Sequence, residues 1–347
     1  MLRVLLVGLG EYGMLWYRAL VKRGDMTLVG VVDADAEKFQ LLEANFKTYN
    51  DTTKGTVHTG TADGIVHLAA GCAFYTDAAL AMDELCPDFV LSATPPRAHR
   101  SVNELAFDRG IPVLSEKPIA EDCDDALAIY ARAQAGGRLV IAENYRYAPV
   151  SRCIRQLLDE GVIGTLTHVQ VRLQKRHVMQ NYHKDMVHPM LLDVGIHHLD
   201  MLRYVTGDEV RQVYADFYTP GGSWYTGYAN TVLCMTMDSG VKVVYTGSLD
   251  APANGTSWFG DWVFTGEKGI LRYDSTGVSL MLDGEVTAVP LEMDWEAELA
   301  MGPLLDAFVA YMVYGVVPGT HIGDNIHTYR VAVAALRSFE TKQVEEV

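Results

Sequence analysis

Five residues able to do chemistry crowd between positions 188 and 200: His188, Asp193, His197, His198 and Asp200, on an otherwise apolar background. A carboxylate beside an imidazole fixes the ring's tautomer and raises its basicity, which is the pairing general acid–base catalysis uses. A helix from about Met190 puts Asp193 and His197 four positions apart, on one face and one turn from each other. This spacing singles out Asp193 and His197 as a catalytic pair. The same stretch also admits a zinc centre built from His188, His197, His198 and Asp200. Neighbours His197 and His198 leave a helix on different faces, however, which suits joint ligation poorly, so no metal is expected. His198 then reads as a packing or cofactor-side residue and Asp200 as an acid on the helix surface.

Two further stretches would serve that pair. Leu2–Val7 is an apolar run of strand length, followed by Gly8-Leu9-Gly10-Glu11-Tyr12-Gly13 and a helical pattern through Lys22. Strand, GxGxxG and helix in that order form a dinucleotide fingerprint. Gly8 makes the tight turn, Gly10 admits a pyrophosphate close to the backbone, and Gly13 lets the helix approach the strand. The helix start offers unpaired N–H groups to the phosphates. A second apolar strand, 27–32, ends at Asp33, twenty residues past Gly13, where an acid binds the ribose 2′-hydroxyl and repels a 2′-phosphate. NAD is therefore expected ahead of NADP. The third stretch is Glu116-Lys117-Pro118, directly after the strand 112–115. Ligands of parallel sheets sit at the carboxyl ends of strands, which is where Lys117 emerges. Partial burial beside a nicotinamide's positive charge would lower the lysine's pKa and suit it to proton handling.

The elements that must position these groups alternate along the first third. Helices are expected at about 36–46, 77–85 and 98–109, and strands at 89–93 and 112–115, which together mean a doubly wound parallel sheet. The segment 47–71 is longer and more polar than a βα connection requires. Beyond it, a helix at 122–135, a strand at 138–142 and a crossing at 143–147 precede a helix that Gly161 stops. Strand-like runs follow at 169–173, 210–218, 230–237, 242–248, 262–265 and 270–273, some joined as hairpins at 238–240 and 267–269.

With 347 residues, the chain has room for two domains, each with its own core. A net charge of −16 argues against nucleic acid or an anionic membrane as partner. No apolar run reaches ~18 residues, and the N-terminal run ends at once in the glycine turn, so neither a membrane span nor a signal peptide is read. Five scattered cysteines with no CxxC pair fit a reducing cytosol.

The ordered set Gly8-x-Gly10-x-x-Gly13, Asp33, Thr94-Pro95-Pro96-x-x-His99, Glu116-Lys117-Pro118, Asn144-Tyr145-Arg146-Tyr147, Asp193-x-x-x-His197 and Gly266–Gly269 resembles the Gfo/Idh/MocA family, the relatives of glucose-fructose oxidoreductase and inositol dehydrogenase. The resemblance spans nearly the whole chain. It implies a Rossmann NAD-binding domain over 1–121. A C-terminal α+β domain over 122–347 would follow, with a large open, mostly antiparallel sheet and flanking helices for substrate binding and oligomerisation. It also implies transfer of hydride between a nicotinamide cofactor and a hydroxyl/carbonyl pair of a sugar, inositol or related polyol. The catalytic positions carried over are Lys117, Asp193 and His197. Glu11, Tyr12, Thr94, Pro95, His99, Glu116, Lys117 and Asn144 would join Gly8, Gly10, Gly13 and Asp33 on the cofactor. A homodimer or homotetramer through the C-terminal sheet is implied as well. One departure stands out: relatives often carry glycines just before the aspartate, where this chain has His188-Pro189, whose imidazole would narrow a pocket mouth or donate to substrate.

A polar patch, Arg172, Lys175, Arg176, His177, Tyr182, His183, Lys184 and His188, contains a single acid, Asp185. It reads as contacts to substrate hydroxyls or to an anionic group, as a solvated loop, or as part of a metal site. Arg146 and Arg172, with His188, Lys117, Asp193 and His197, make up the expected substrate contacts. Two other functions fit the same motifs: a redox-neutral epimerase or eliminase on tightly bound NAD, and a non-catalytic NAD-dependent sugar sensor. A sensor has no need of the set Lys117, Asp193 and His197.

Overall fold

The apolar runs of the first third form one parallel sheet in a computed structural model that describes residues 1–39, 71–178, 182–292 and 299–347. Its strands are β1 (Leu2–Val7), β2 (Met26–Val32), β3 (Ala73–Tyr75), β4 (Phe89–Ser92), β5 (Val113–Ser115) and β6 (Leu139–Ile141). Their spatial order is β3-β2-β1-β4-β5-β6 and every neighbouring pair is parallel. Leu5, Leu6, Val90, Leu91, Val113, Leu114 and Val140 are fully buried, as continuous apolar strands are when helices cover both faces. The order reverses between β1 and β4, the topological switch point beside which such sheets bind ligands.

Helices α1 (Glu11–Val21), α2 (Ala78–Leu85), α3 (His99–Asp108) and α4 (Cys123–Gln134) connect these strands. Two start on aspartate caps: Asp77 accepts from Leu80 N at 3.0 Å and Asp122 from Asp125 N at 2.8 Å. The helix expected at 36–46 and the segment 47–71 lie for the most part outside the described residues. The expected division after residue 121 falls short of β6, which pairs with β5 through Leu114 and Val140. The first compact unit accordingly runs over Met1–Ala142 and takes back Leu304–Ile322.

The second unit comprises Glu143–Pro303 and Gly323–Val347. Helix α5 (Pro149–Asp159) has proline in its first turn, where the missing N–H costs nothing, and buries Val150 and Ile154. Then come β7 (Leu166–Gln174), helix α6 (Ile196–Thr206), β8 (Val210–Tyr218), β9 (Asn230–Met237), β10 (Lys242–Ser248), β11 (Asp261–Gly266), β12 (Gly269–Asp274), β13 (Gly277–Leu282) and β14 (Glu285–Val289). Helices α7 (Met301–Tyr314) and α8 (Ile322–Thr341) and the short β15 (Glu345–Glu346) end the chain. The sheet runs β14-β13-β12-β11-β7-β10-β9-β8-β15, with β7 and β10 parallel and the other pairs antiparallel. Along β7, Val169, Val171 and Leu173 are buried while Gln170, Arg172 and Gln174 are exposed. The buried row packs in one core with Leu199, Leu202, Val205, Tyr245 and Trp262. No helix among the described residues is long and apolar enough to cross a membrane.

Candidate functional site

The glycine turn of the first unit is shaped by what it leaves out. Gly8 has φ +98°, and a Cβ there would lie 2.5 Å from the Ala93 carbonyl oxygen. A Cβ on Gly13 would overlap the Gly8 carbonyl oxygen, so this glycine is what lets α1 sit against β1. Gly10, the N-cap of α1, is different: a Cβ there would meet no protein atom within 4 Å. That open face at a helix start fits the backbone approach of a pyrophosphate. Asp33, at the end of β2, accepts from Leu9 N at 2.7 Å and Asp35 N at 3.0 Å, and pairs with Lys38 at 3.1 Å. The acid is thus fixed to the turn that would hold the phosphates. The donor set fits a dinucleotide.

At the carboxyl end of β5, Glu116 accepts from Trp16 Nε1 at 2.7 Å and from Lys117 N at 3.2 Å. Lys117 is buried, and its ammonium lies 5.6 Å from the Tyr12 ring centroid. The Lys117–Pro118 bond is cis. His99 Nδ1 is 2.9 Å from the Pro118 carbonyl and Nε2 is 2.9 Å from that of Thr94. Burial pushes this imidazole below its ordinary value, opposed by those carbonyls. A neutral ring donates to only one of them. Expected as a cofactor contact, His99 serves as a strut between the Thr94 turn and the Lys117 loop.

In the second unit, Met190–Gly195 is a π-helical turn that runs straight into α6. Such turns occur mostly as single insertions and frequently at functional sites. The carboxylate on His197 Nδ1 is Glu143, at 2.5 Å, with both side chains buried. Asp193, expected in that place, has its Oδ1 3.5 Å from His183 Nε2. Residue spacing identifies which side chains share a helix face; it does not disclose a partner 54 positions upstream. Tyr145 stacks on the His197 ring at 4.3 Å and 9°, and Phe259 stacks on Tyr145 at 4.2 Å. Neither Glu143 nor Tyr145 was singled out for this site; their place in the crossing at 143–147 was the available signal.

Two residues of the polar patch, His183 and His177, interact with Asp193. His183 stacks on Tyr182 at 3.9 Å, His177 meets Trp258 edge-on at 4.8 Å, and Lys175 lies 4.9 Å over the same indole. Desolvation pushes His177 down to about 4, against the opposing pull of the Asp193 charge. The Tyr225 hydroxyl is buried without a hydrogen-bond partner among the described residues, and its pKa is raised by burial and by Asp193.

Other expected contacts are engaged by the protein itself. Arg146 forks onto Asp200 at 2.5 and 2.7 Å and reaches Asp324 at 3.0 Å. Asp200 is fully buried and also accepts from Thr328 at 3.0 Å, so it is not a surface acid. Arg172 is exposed on β7 and pairs with Asp261 at 2.6 Å. Asn144 donates to the Leu299 carbonyl at 2.7 Å. His188 is packed among Phe217, Tyr228 and Phe339, with ring centroids 4.9, 5.1 and 6.3 Å away. His198 sits between the Tyr245 hydroxyl at 2.8 Å and the Trp258 carbonyl at 2.9 Å, and burial pushes it to about 4. The four residues of the rival zinc centre therefore each face different partners. Among the described residues no group of three or more His, Cys, Asp or Glu could hold a metal ion.

Comparison with known proteins gives two matching family models in tandem. One, the oxidoreductase family with an NAD-binding Rossmann fold, matches residues 2–144; the other, the GFO/IDH/MocA C-terminal domain, matches 151–272. A D-apiose dehydrogenase of Paraburkholderia graminis is 33% identical over 51% of this chain and 49% of its own. An inositol 2-dehydrogenase of Corynebacterium glutamicum is 27% identical over 57% of this chain and 58% of its own. The match thus spans about half the length of these two dehydrogenases. An oxidoreductase from Agrobacterium radiobacter, solved in complex with NAD+, L-tartaric acid and magnesium, shares the fold with a TM-score of 0.82. Its identity is 20%, over 99% of this chain and 98% of that one.

Proposed function

We propose that this chain, which belongs to the GFO/IDH/MocA oxidoreductase family, interconverts a hydroxyl and a carbonyl on a sugar or related polyol with NAD. The observation that carries the substrate class is the set of hydrogen-bonding side chains that interact with Asp193: His177, His183 and the Tyr225 hydroxyl, which has no partner among the described residues. Side chains that both donate and accept suit a ligand with many hydroxyls.

Gly8, Gly10, Gly13 and Asp33 would hold the dinucleotide, which, when bound, accepts hydride from the substrate carbon. The rest falls to the protein's own groups. His197 takes the hydroxyl proton at Nε2, since Nδ1 faces Glu143. Lys117 would stabilise negative charge that develops on a substrate oxygen. Asp193 holds the substrate through its hydroxyls. Carbonyl reduction uses the same groups in reverse. The two relatives' names put D-apiose and inositol at the head of the substrate panel.

The test is that panel, extended to other sugars and polyols, with purified protein and NAD or NADP, followed by absorbance of the reduced nicotinamide. Turnover with NAD on a polyol is expected. Silence across the panel with NAD still bound overturns the substrate class. A homodimer or homotetramer through the outward face of the second sheet belongs to the same proposal; Tyr214 and Val244 are exposed on it. A monomer in sedimentation equilibrium would remove that part.

A further inference from the structure

We infer that Glu143 is the positioning residue of His197, and that the buried pair Arg146–Asp200 sets the register that keeps it there. The inference rests on the reading of His197 as the proton-exchanging group, and it gives Asp193 a different task from the one its spacing implied.

The geometry is reciprocal. Glu143 and Arg146 are three residues apart on the crossing segment; His197 and Asp200 are three apart on α6. On α6 that spacing puts His197 and Asp200 on one helix face, while Glu143 lies just ahead of, and Arg146 within, a single 3-10 turn over Tyr145–Tyr147. Glu143 Oε2 meets His197 Nδ1 at 2.5 Å, and Arg146 meets Asp200 through two nitrogens at 2.5 and 2.7 Å. Acid faces base in one contact and base faces acid in the other, so a one-residue slip would break both. Tyr145 lies between the two anchors and covers the flat face of the imidazole. Its own hydroxyl donates to the Trp258 carbonyl at 3.3 Å, and Phe259 backs its ring. The imidazole is therefore fixed in plane by one contact and in tilt by another.

The chemistry follows from the acceptor. An ionised carboxylate only accepts, so the His197 proton sits on Nδ1 and the lone pair on Nε2. In alcohol oxidation the O–H proton moves to His197 Nε2, and NAD, when bound, would take up the hydride from the same carbon as the carbonyl forms. The resulting imidazolium has its charge facing the Glu143 carboxylate. Glu143 touches neither substrate nor cofactor in this scheme.

The test uses the full chain with NAD bound. Proton NMR should show a strongly downfield Nδ1–H resonance that His197→Gln abolishes. It should disappear or move far upfield in Glu143→Gln, persist in Asp193→Asn, and return in part in Glu143→Asp. With D-apiose and myo-inositol as probes, Glu143→Gln should lower kcat about 100-fold, with KM and the Kd for NAD within about twofold. Glu143→Asp should recover a fraction of kcat. An unchanged resonance or an unchanged kcat in Glu143→Gln overturns the inference, as does loss of the resonance in Asp193→Asn. If Glu143→Gln does not fold, Glu143→Asp carries the same comparison. If the unaltered protein turns over neither probe, the polyol reading loses ground while the resonances still decide this one.

Discussion

The glycine turn at 8–13 and the crossing clamp at 143–146 with 197–200 hold their functional groups by opposite means. The turn works through missing side chains: Gly8 and Gly13 are there because a Cβ would strike backbone, and Gly10 because the space over it is open. The clamp works through side chains that lock one another, Glu143 on His197 and Arg146 on Asp200. A backbone site is sensitive to volume and indifferent to ionisation. A side-chain site is the reverse, since an isosteric change that removes a charge can empty it. Substitutions can therefore separate the two.

The largest effect should come from the clamp. Arg146→Ala leaves Asp200 charged and fully buried, which typically costs about 3–5 kcal/mol. Urea unfolding at neutral pH should show that loss, and a change below about 1 kcal/mol would mean the pair is not the anchor proposed here. Next comes Lys117→Met, which should lower turnover by roughly 100–1,000-fold while NAD affinity stays close to that of the unaltered protein. Turnover that survives would remove Lys117 from the chemistry. Within the turn, Gly13→Ala should destabilise by about 1–3 kcal/mol and weaken NAD together, because the new Cβ meets the Gly8 carbonyl. Gly10→Ala should leave stability within about 0.5 kcal/mol and weaken NAD alone. Equal behaviour of the two glycines would erase the distinction between a packing glycine and a phosphate-facing one. Asp33→Ser should raise the ratio of NADP to NAD use, with part of the NAD loss due to the freed Leu9 amide.

What could be read in advance follows the same division. The glycine turn and strands β1, β2, β4 and β5 are local patterns of a few residues, and the strands stand close to where the continuous apolar runs put them. Strand β3 escaped because its three residues are only half-buried, where β5, equally short, is a fully buried apolar run. Strands β13 and β14 escaped because they bury little: β14 is almost wholly exposed. Helices α7 and α8 are apolar on more than one side, which weakens a 3.6-residue signal. The clamp was hidden for another reason. Asp200 looks like any helix acid until its partner 54 residues upstream is known, and Glu143 was visible only as part of a crossing. Residue type marked the site; which acid serves which base is decided by tertiary contact.

His188 offers the finest test of whether the segment from 188 to 200 is one functional unit or two. Its ring lies among Phe217, Tyr228 and Phe339, and its buried Nδ1 has no hydrogen-bond partner among the described residues. Desolvation pushes its pKa from the ordinary 6.5 down to about 4. Between those values the unfolded chain takes up the proton and the folded one resists it. The contribution to stability is therefore complete above pH 6.5 and is lost as pH falls toward 4. His188→Phe removes both the proton uptake and the unpartnered nitrogen. It should hold or slightly raise stability at pH 7, and flatten the decline between pH 7 and 5 by something of order 1 kcal/mol, a figure kept low because the ring is partly exposed. His177 and His198, also near 4, would supply the decline that remains. Urea midpoints at the two pH values measure the slope, and KM for the polyol measures the alternative. A KM that stays put assigns His188 to packing and leaves Asp193 and His197 as the functional residues of this segment. A KM that rises several-fold with the pH slope unchanged would return His188 to the substrate.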